Sequence, residues 1–371
     1  MRKRIWLVPL ALLLVVSLVA CAAPAPEPTT QAPAPTTTVT GPATTVTAPA
    51  ATVTVVLPEL HLKASQAMMI KDTLTHQDLE EFCARITEAT DGKITWDIFG
   101  PEIGDWIELD VMTQMGTIDV QFNNHDPGYD PRWNIVFLPF AATSFEDAAE
   151  ATGPGAIFEQ MGKQWSPDTN MYYLATFLNT LGMIGLNTPE PVLTPEQAEG
   201  VKIRCWPSET PKCYVAKMGF TPITIPWAEA PSAIGTGIAD GWVGSGSVYH
   251  WTLFRDVAHI QLKTFDFMEM WDITVNLDTW NRMPDAYQKL FQEEAHRISV
   301  IRLNQLEDEE NEYSQKLIDY GWTVVDMAND YPDELAVWAE LARECWVDLE
   351  PLIGKVWIDM VRAEFGMPIT R

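Results

Sequence analysis

The order of secondary-structure patterns along the chain constrains the fold most strongly. From residue 58 to about residue 282, stretches of alternating apolar and polar residues, such as residues 60–64, are followed by stretches with apolar residues at every third or fourth position, as at Leu79, Phe82 and Ile86. The first pattern is typical of a strand and the second of an amphipathic helix. Strands that alternate with helices predict α/β layers with mainly parallel sheets.

The chain changes character after Met283. Long amphipathic helices rich in acidic residues are predicted from there to the end, with breaks near Gly321 and Pro332. The folded part is long enough for two domains of about 150 residues each. In such α/β domains a ligand binds beyond the carboxyl ends of the strands or between the domains.

The N-terminus has the pattern of an export signal. Residues 1–4 include three basic side chains, residues 5–19 are an apolar run, and small residues then lead to Cys21. This arrangement looks like a bacterial lipoprotein signal, which is cleaved before Cys21 and leaves a lipid on that thiol. An ordinary secretory signal or a single membrane anchor is the alternative, although the apolar run is short for an anchor.

Residues 22–56 consist almost entirely of Ala, Pro, Thr and Val. Such a segment has little to bury, so we expect a disordered tether that reaches on the order of 30 Å or more from the membrane. The predicted location is therefore outside the cytoplasm, with a lipid anchor in the cell membrane, in the periplasm or at the cell surface.

The charge of the chain excludes one class of partner. Asp and Glu number 51 against 24 Lys and Arg, which gives a formal net charge of -27. A surface this acidic repels phosphate backbones, so we expect no nucleic-acid partner. The sequence has no nucleophile elbow, H-E-x-x-H motif, P-loop or dinucleotide-binding motif, and its histidines are scattered. We therefore predict no enzymatic activity, no cofactor and no metal site.

Four cysteines follow Cys21, namely Cys83, Cys205, Cys213 and Cys345. Export permits disulfides, and four cysteines allow three pairings. Cys205 and Cys213 are close enough in sequence to pair, but buried free thiols are equally compatible with a fold of this size. The sequence leaves the pairing open.

Arg204 and a group of tryptophans are the candidate ligand-binding residues. Arg204 follows the apolar strand pattern of residues 201–203, and a guanidinium can hold a carboxylate through two parallel hydrogen bonds. A surface ion pair is the alternative for this arginine. Trp206, Trp227 and Trp242 lie close to loops and glycines, where they are suited to form aromatic walls, although core packing is the alternative for each.

An ordered set of short motifs runs through the folded part. In chain order, they occupy residues 91–94 (DGKI), 100–104 (GPEIG), 116–119 (GTID), 137–140 (FLPF), 200–204 (GVKIR), 219–222 (GFTP), 227–229 (WAE) and 237–241 (GIADG). Together they resemble the DctP-like solute-binding proteins of tripartite ATP-independent periplasmic (TRAP) transporters. The match continues through residues 276–280 into the C-terminal helices, so it covers essentially everything after the tether.

The resemblance implies an α/β, two-lobed periplasmic-binding-protein (Venus-flytrap) fold, with a long bridging helix and a helical C-terminus. The first lobe is expected at residues 57–180, and the segment at about 270–305 returns to it. The second lobe is expected at residues 181–269. Parts of residues 306–371 are expected to pack across both lobes.

The resemblance also implies the position of the ligand. Arg204 is expected to clamp the carboxylate of an organic acid, and Trp227 to line the cleft. The other predicted ligand contacts follow strands or neighbour the motifs: Gln66, Met68, Asn123, Asn124, Trp206, Trp242, Gly244 and Ser245.

Two departures from the family pattern suggest the ligand class. Ile184 stands where many relatives have a second arginine, and residues 242–245 (WVGS) replace a polar run that includes an amide. Fewer polar groups and more tryptophan predict a monocarboxylate with a bulky apolar or aromatic body. The resulting hypothesis is a receptor that delivers such an acid to the integral membrane subunits of a TRAP transporter. The alternatives are an ABC-type solute-binding lipoprotein and, less favoured by the motifs, a lipid-anchored surface hydrolase.

Overall fold

The computed structural model describes residues 57–67, 70 and 73–368. The predicted signal sequence, Cys21, the tether and Met68 lie outside the described residues. Within the described part, the strands are, in chain order, β1 (Leu60–Gln66), β2 (Ile94–Phe99), β3 (Val120–Asn123), β4 (Met171–Leu181), β5 (Met183–Leu186), β6 (Lys202–Cys205), β7 (Thr221–Thr224), β8 (Gly241–Ser245), β9 (Ile260–Lys263), β10 (Met268–Asn276) and β11 (Thr323–Asp326).

These strands form two sheets. The first sheet has the order β2-β1-β3-β10-β4, and the second has the order β11-β9-β5-β8-β6-β7. Both sheets are mainly parallel, as the sequence predicts, and each contains one reversed strand. In the first sheet β10 runs antiparallel to β3 and β4, and in the second sheet β5 runs antiparallel to β8 and β9, while the other pairings are parallel.

Two crossings between the sheets explain the reversed strands. The chain leaves the first sheet at Gly182, between β4 and β5, and returns through residues 264–267, between β9 and β10. Strand β5 is the first strand after the chain enters the second sheet, and β10 is the first strand after the chain returns to the first sheet. They begin at the cleft between the sheets, whereas the parallel strands end there.

The α-helices of the described part complete the two layers. They are α1 (Leu74–Ala89), α2 (Trp106–Gln114), α3 (Phe145–Thr152), α4 (Ile157–Trp165), α5 (Pro195–Ala198), α6 (Glu209–Lys217), α7 (Ala230–Gly235), α8 (Ser247–Tyr249), α9 (Leu277–Arg282), α10 (Asp285–Tyr320), α11 (Met327–Asp330), α12 (Pro332–Arg343), α13 (Cys345–Asp348), α14 (Glu350–Ile353) and α15 (Lys355–Glu364). None of these helices is both long and apolar enough to cross a bilayer.

A capping box fixes the start of α2, which carries Trp106. The Asp105 carboxylate accepts the N–H groups of Ile107 at 2.9 Å and Glu108 at 3.1 Å, while the Glu108 carboxylate accepts the N–H of Asp105 at 2.9 Å. This reciprocal arrangement satisfies N–H groups that have no partner inside the helix. It also fixes the backbone of the first turn, to which Trp106 belongs.

Helix α10 joins the two lobes. It has 36 residues and ends at Gly321, whose φ of 105° is the left-handed conformation that favours glycine. At the usual rise per residue it is about 54 Å long. It packs against α1 and β4 in the first lobe and against α8 and β11 in the second. The structure thus confirms the predicted two-lobed α/β fold with a long bridging helix and a helical C-terminus.

The cysteine pairing, which the sequence leaves open, is resolved. Cys213 on α6 forms a disulfide with Cys345 on α13, with a Cα–Cα distance of 6.0 Å. Cys83 and Cys205 are free and buried. The disulfide therefore ties the C-terminal helices to the second lobe, and the close pair in sequence, Cys205 and Cys213, is not bonded.

Candidate ligand-binding cleft

A cavity lies at the carboxyl ends of the parallel strands. Its lining residues are Ala67, Trp106, Asn124, Phe137, Arg204, Trp206, Trp227, Gly244, Phe267 and Glu269. Ala67 follows β1 and Asn124 follows β3 in the first sheet, whereas Trp206 follows β6 in the second. Both sheets thus contribute side chains to one cavity, as expected for a ligand site between two α/β lobes.

Arg204 is the only basic residue among the described residues that line this cavity. Its side chain is 2% exposed, and its Nε donates a hydrogen bond to the carbonyl of Ile225 at 2.8 Å. The terminal guanidinium nitrogens have no hydrogen-bond partner among the described residues. Burial lowers the pKa of Arg204 to about 10, so the guanidinium remains charged at neutral pH. The cavity therefore contains a fixed positive charge with two N–H groups available to a ligand.

Trp227 packs against this charge. It is the first residue of a short 3-10 turn, Trp227–Glu229, that follows Pro226. The guanidinium carbon of Arg204 lies 5.1 Å from the centroid of the Trp227 ring, within the range of a cation–π interaction. The Trp227 ring also makes a T-shaped contact with the Tyr249 ring, with centroids 6.0 Å apart.

Trp206 forms a second aromatic wall. Its ring centroid lies 5.2 Å from that of Phe137 and 5.0 Å from that of Phe267. Its indole Nε1 is buried and has no hydrogen-bond partner within the described ranges of the chain. Gly244 makes room for the ring, because a Cβ at this position would lie 2.8 Å from Trp206.

Glu269 is a cavity residue that the sequence analysis missed. It lies at the start of β10, the strand that enters the first sheet from the cleft, and it is 4% exposed. Burial raises the pKa of Glu269 to about 8, while Arg204 and the side chains of Asn179 and Trp271 act in the opposite direction. Its Oε2 has no hydrogen-bond partner in the part of the chain that the structure describes. The available sequence signal was an acidic residue inside a strand whose other members, in residues 267–275, are mostly apolar.

Asn124 lines the cavity, but the neighbouring candidates do not. The Asn124 Oδ1 is buried, and none of the described residues is its hydrogen-bond partner. Asn123 is fully buried and is not among the lining residues, and its amide donates to the Trp106 carbonyl at 2.7 Å and so helps to position that residue. Gln66 is buried at the end of β1. Neither amide atom has a hydrogen-bond partner among the described residues, and Gln66 is not among the lining residues.

The structure places Trp242 and Ser245 in the core, which differs from the sequence prediction. The Trp242 ring is fully buried and stacks on Phe254, with centroids 3.8 Å apart. It lies across Gly185 on the adjacent strand β5, where a Cβ would come within 2.1 Å of the ring. Its Nε1 donates to the Ser245 hydroxyl at 3.0 Å. Because Gly185 has no side chain, the Trp242 indole can pack on the face of the sheet, away from the strand ends.

The cavity offers one carboxylate, from Glu269, as a possible metal ligand among the described residues that line it. In the described part of the chain, the one group of three potential ligands that lie close together is Cys213, Cys345 and Asp348. Its two sulfur atoms are joined in the disulfide, so neither is a thiolate ligand. The cavity residues themselves are suited to an organic anion, through the guanidinium of Arg204 and the aromatic walls.

Two curated proteins with similar sequences are solute-binding proteins. A solute-binding protein of Chromohalobacter salexigens is 23% identical over 266 residues, which are 71% of this chain and 77% of the relative. The ectoine-binding periplasmic protein TeaA of Halomonas elongata is 27% identical over 163 residues, which are 40% of this chain and 46% of the relative.

Solved structures of TRAP periplasmic solute-binding proteins share the fold. The protein from Ochrobactrum anthropi, with its C-terminus bound in the ligand-binding pocket, has a TM-score of 0.75 at 20% identity, covering 83% of this chain and 95% of that chain. The protein from Desulfovibrio salexigens, with bound orotic acid, has a TM-score of 0.75 at 18% identity and coverage of 82% and 98%. The protein from Sulfurospirillum deleyianum, with bound succinate, has a TM-score of 0.72 at 17% identity and coverage of 83% and 99%.

The model of the DctP family, described as bacterial extracellular solute-binding protein, family 7, matches residues 67–350. The match spans more than half of the chain and includes every strand of the two sheets except β1, together with most of the C-terminal helices. It confirms the resemblance that the sequence motifs indicate. Members of this family are receptors rather than enzymes, and they act outside the cytoplasm. The chain belongs to the DctP family of extracellular solute-binding proteins, the receptors of TRAP transporters.

Proposed function

We propose that this protein captures an organic acid in the cleft between its lobes and delivers it to the integral membrane subunits of a TRAP transporter. In this proposal Arg204 binds the ligand carboxylate, and Trp206 and Trp227 contact its body. The observation that carries the proposal is the buried guanidinium of Arg204, whose terminal nitrogens face an aromatic cavity without a protein partner.

The ligand class follows from the cavity lining. Phe137, Trp206, Trp227 and Phe267 supply aromatic surface, while Arg204 is the only cationic group among the described lining residues. One guanidinium matches one carboxylate, and the aromatic surface favours a bulky apolar or aromatic body. Succinate and orotic acid in the related structures are also carboxylates. We therefore propose a monocarboxylate with such a body.

Ligand capture would proceed by closure of the two lobes. Residues from the first sheet, such as Asn124, and from the second, such as Arg204, both line the cavity. A ligand that contacts both sets stabilises the closed arrangement and shifts the population toward it. The crossings at Gly182 and at residues 264–267, together with α10, are the connections that such a motion would bend. The membrane subunits would then distinguish the closed receptor from the open one.

Lipid attachment at Cys21 is a separate part of the proposal, based on the sequence pattern alone. We expect the full chain to partition into the detergent phase when expressed in a bacterium that processes lipoproteins. The Cys21→Ser variant is expected in the aqueous phase. A Cys21→Ser variant that still partitions with detergent would exclude this cysteine as the anchor.

A thermal-shift screen of the purified full chain tests the carboxylate clamp. The panel contains aliphatic, aromatic and 2-oxo carboxylates with their uncharged amides. A ligand at 100 times its dissociation constant adds about 2.7 kcal/mol to the unfolding free energy, which raises the melting temperature by several degrees. Arg204→Ala is expected to weaken binding by about 2–5 kcal/mol, because the ligand charge is left without its partner.

Arg255→Ala is the matched control. The Arg255 guanidinium lies 5.1 Å from the Trp251 ring centroid, a contact of the same kind and distance as that of Arg204 with Trp227, but outside the cavity. We expect Arg255→Ala to bind like the wild type. Carboxylate binding that is equal in the wild type and Arg204→Ala would rule out Arg204 as the clamp.

A further inference from the structure

We propose that the physiological ligand is a zwitterion, whose carboxylate binds Arg204 and whose protonated nitrogen, an ammonium or amidinium group, binds Glu269. The inference rests on the proposed function, because it takes Arg204 as the carboxylate clamp. It adds a second charged contact, which restricts the ligand class further than one guanidinium does.

The first argument is the position of two buried ionisable side chains, one basic and one acidic, that do not pair. Arg204 and Glu269 are 2% and 4% exposed and line the same cavity. No ion pair within 4.0 Å joins them, and the Oε2 atom of Glu269 has no hydrogen-bond partner among the described residues. Buried ionisable groups are usually paired or hydrogen-bonded, because an isolated one is costly. A ligand with both charges, placed between these side chains, would satisfy both at once.

The second argument is the balance of donors and acceptors. The Asn124 Oδ1 is a second buried oxygen without a partner, and it belongs to a residue of the same cavity. Glu269 and Asn124 thus offer acceptor oxygens, in addition to the donors of Arg204. A ligand that carries only a carboxylate and an apolar body has no N–H group for these oxygens. A protonated nitrogen with two or three N–H groups can reach an acceptor from each residue.

The third argument concerns the proton on Glu269. With Arg204 and Tyr249 as the ionisable groups that act on it, burial raises the pKa of Glu269 to about 8, so the empty cavity holds this carboxyl mostly protonated at pH 7. A cationic ligand favours the carboxylate form. Binding of a zwitterion is therefore expected to release the proton from Glu269 to solvent. A neutral hydroxyl group on the ligand would leave the proton in place.

A bound metal ion is a poorer match for the same oxygens. Calcium requires six to eight oxygen ligands, and magnesium requires octahedral geometry with several waters. Glu269 is the only acidic side chain among the described residues that line the cavity. One carboxyl group and one amide oxygen, next to a guanidinium, are a weak site for a divalent cation but a suitable one for an organic cation tied to a carboxylate.

Calorimetric titration of the full chain, in buffer with EDTA, tests the inference with two matched series. In the first, L-phenylalanine, 3-phenyllactate and 3-phenylpropanoate share one body and carry an ammonium, a hydroxyl or neither beside the carboxylate. In the second, 4-(aminomethyl)benzoate and 4-ethylbenzoate differ in a charged group distant from the carboxylate. We expect the amino member of at least one series to bind at least tenfold more tightly than its desamino counterpart.

Two further readouts identify Glu269 as the partner. Glu269→Gln is expected to abolish the preference for the amino member, measured as the ratio of the dissociation constants of the amino and desamino members. Titrations in buffers of different ionisation enthalpy are expected to show release of close to one proton per bound zwitterion at pH 7 in the wild type, and none in Glu269→Gln. Glu310→Gln is the matched control, because Glu310 is equally buried but does not line the cavity.

The outcomes separate this inference from the proposed function. If desamino acids bind in an Arg204-dependent way as tightly as the amino members of both series, the zwitterion is excluded and the carboxylate receptor stands. A preference for the amino member that persists in Glu269→Gln, or binding that requires added calcium, also overturns the inference. If no acid shows Arg204-dependent binding, the proposed function fails and the inference fails with it.

Discussion

The guanidinium carbon of Arg204 lies 5.1 Å from the centroid of the Trp227 ring, while its Nε is hydrogen-bonded to the carbonyl of Ile225. These two contacts fix the orientation of the side chain before any ligand arrives. The terminal nitrogens are left for the ligand, so the guanidinium loses little conformational entropy on binding. We infer that Trp227 acts both as a wall of the cavity and as a support for the charge.

Substitution of Trp227 tests this double role. Trp227→Ala removes a cation–π contact of about 0.5–2 kcal/mol together with apolar surface for the ligand. We expect affinity for the best acid of the thermal-shift screen to fall at least tenfold, and Trp227→Phe to lose less because a ring remains. Isothermal titration measures both. Trp251→Ala is the control, since Trp251 makes the equivalent contact with Arg255 away from the cavity.

An affinity of Trp227→Ala within twofold of the wild type would show that the ring contributes neither to the ligand contact nor to the orientation of Arg204. If Trp227→Ala and Trp251→Ala lost acid affinity equally, the cause would be a general loss of stability instead. Urea unfolding of each variant distinguishes these two results.

Gly244 is expected to be irreplaceable for the shape of the cavity. Its φ is 103°, and a Cβ there would lie 2.8 Å from the Trp206 ring. Gly244→Ala must therefore both strain the backbone and move the indole. We expect the variant to lose about 1–3 kcal/mol of unfolding free energy and to bind acids more weakly.

Gly237→Ala separates the two effects. Gly237 has a φ of 74°, and no heavy atom lies within 4 Å of a Cβ built on it. It therefore has the backbone strain without the clash, and its affinity for acids should equal that of the wild type. Binding by Gly244→Ala at wild-type affinity would mean that the position of Trp206 is not critical for the ligand.

The sequence predicts the fold well because much of the relevant information is local. Periodicity and turn residues indicate the strands and helices, and the motif order identifies the two-lobed architecture. The direction of β5 and β10 is not local information. It follows from the crossings at Gly182 and at residues 264–267, which periodicity does not locate. The prediction of mainly parallel sheets is therefore correct for the other strands of the described part, and β5 and β10 are the exceptions.

In the candidate site, too, some features follow from the local sequence and others depend on distant parts of the chain. Arg204, Trp206, Trp227, Asn124 and Gly244, which strand ends and motifs indicate as ligand contacts, line one cavity. Their contact with a ligand stays a prediction. The side to which a side chain points within a strand depends on its neighbours. Trp242 packs on the sheet because Gly185, on another strand, leaves space for its ring.

Glu269 could not be selected from composition, since it is one of 51 acidic residues. Only the return of the chain from the second sheet to the first brings it opposite Arg204.

Loss of the disulfide between Cys213 and Cys345 is expected to destabilise the protein without affecting ligand binding. The bond joins residues 132 positions apart in sequence, and a cross-link that closes so long a loop is expected to contribute about 2–5 kcal/mol. We expect dithiothreitol to lower the urea midpoint of the wild type and to have no effect on the Cys213→Ser/Cys345→Ser variant. The Cys83→Ala/Cys205→Ala variant should keep the full sensitivity to dithiothreitol, because its bonded pair is intact.

An unchanged midpoint of the wild type in dithiothreitol, with thiol titration showing four free cysteines in the folded part, would contradict this prediction. If reduction of the disulfide abolished acid binding, ligand binding in the cleft would instead depend on the attachment of the C-terminal helices.

The raised pKa of Glu269 predicts how stability depends on pH in the ligand-free protein. Its value is about 8 in the folded state, against 4.5 for an ordinary glutamate. Below pH 4.5 the Glu269 carboxyl is protonated in both the folded and the unfolded state, so its contribution to the free energy of unfolding is fully present. Between pH 4.5 and 8 the unfolded chain loses this proton while the folded protein keeps it. Stability must therefore fall as pH rises through this window, by at most about 1.4 kcal/mol per pH unit from this group.

Glu269→Gln removes this titration while preserving shape and polarity. We expect the unfolding free energy of Glu269→Gln, minus that of the wild type, to increase from pH 5 to pH 8 by a few kcal/mol and to level off above pH 8. Asp78 and Asp272, whose pKa values burial raises to about 7, are present in both proteins and contribute equally to both curves. Urea unfolding at pH 5, 6, 7, 8 and 9 gives the difference directly. A difference that stays flat over this range would mean that Glu269 is already ionised in the empty cavity, and a zwitterion would then bind without releasing a proton.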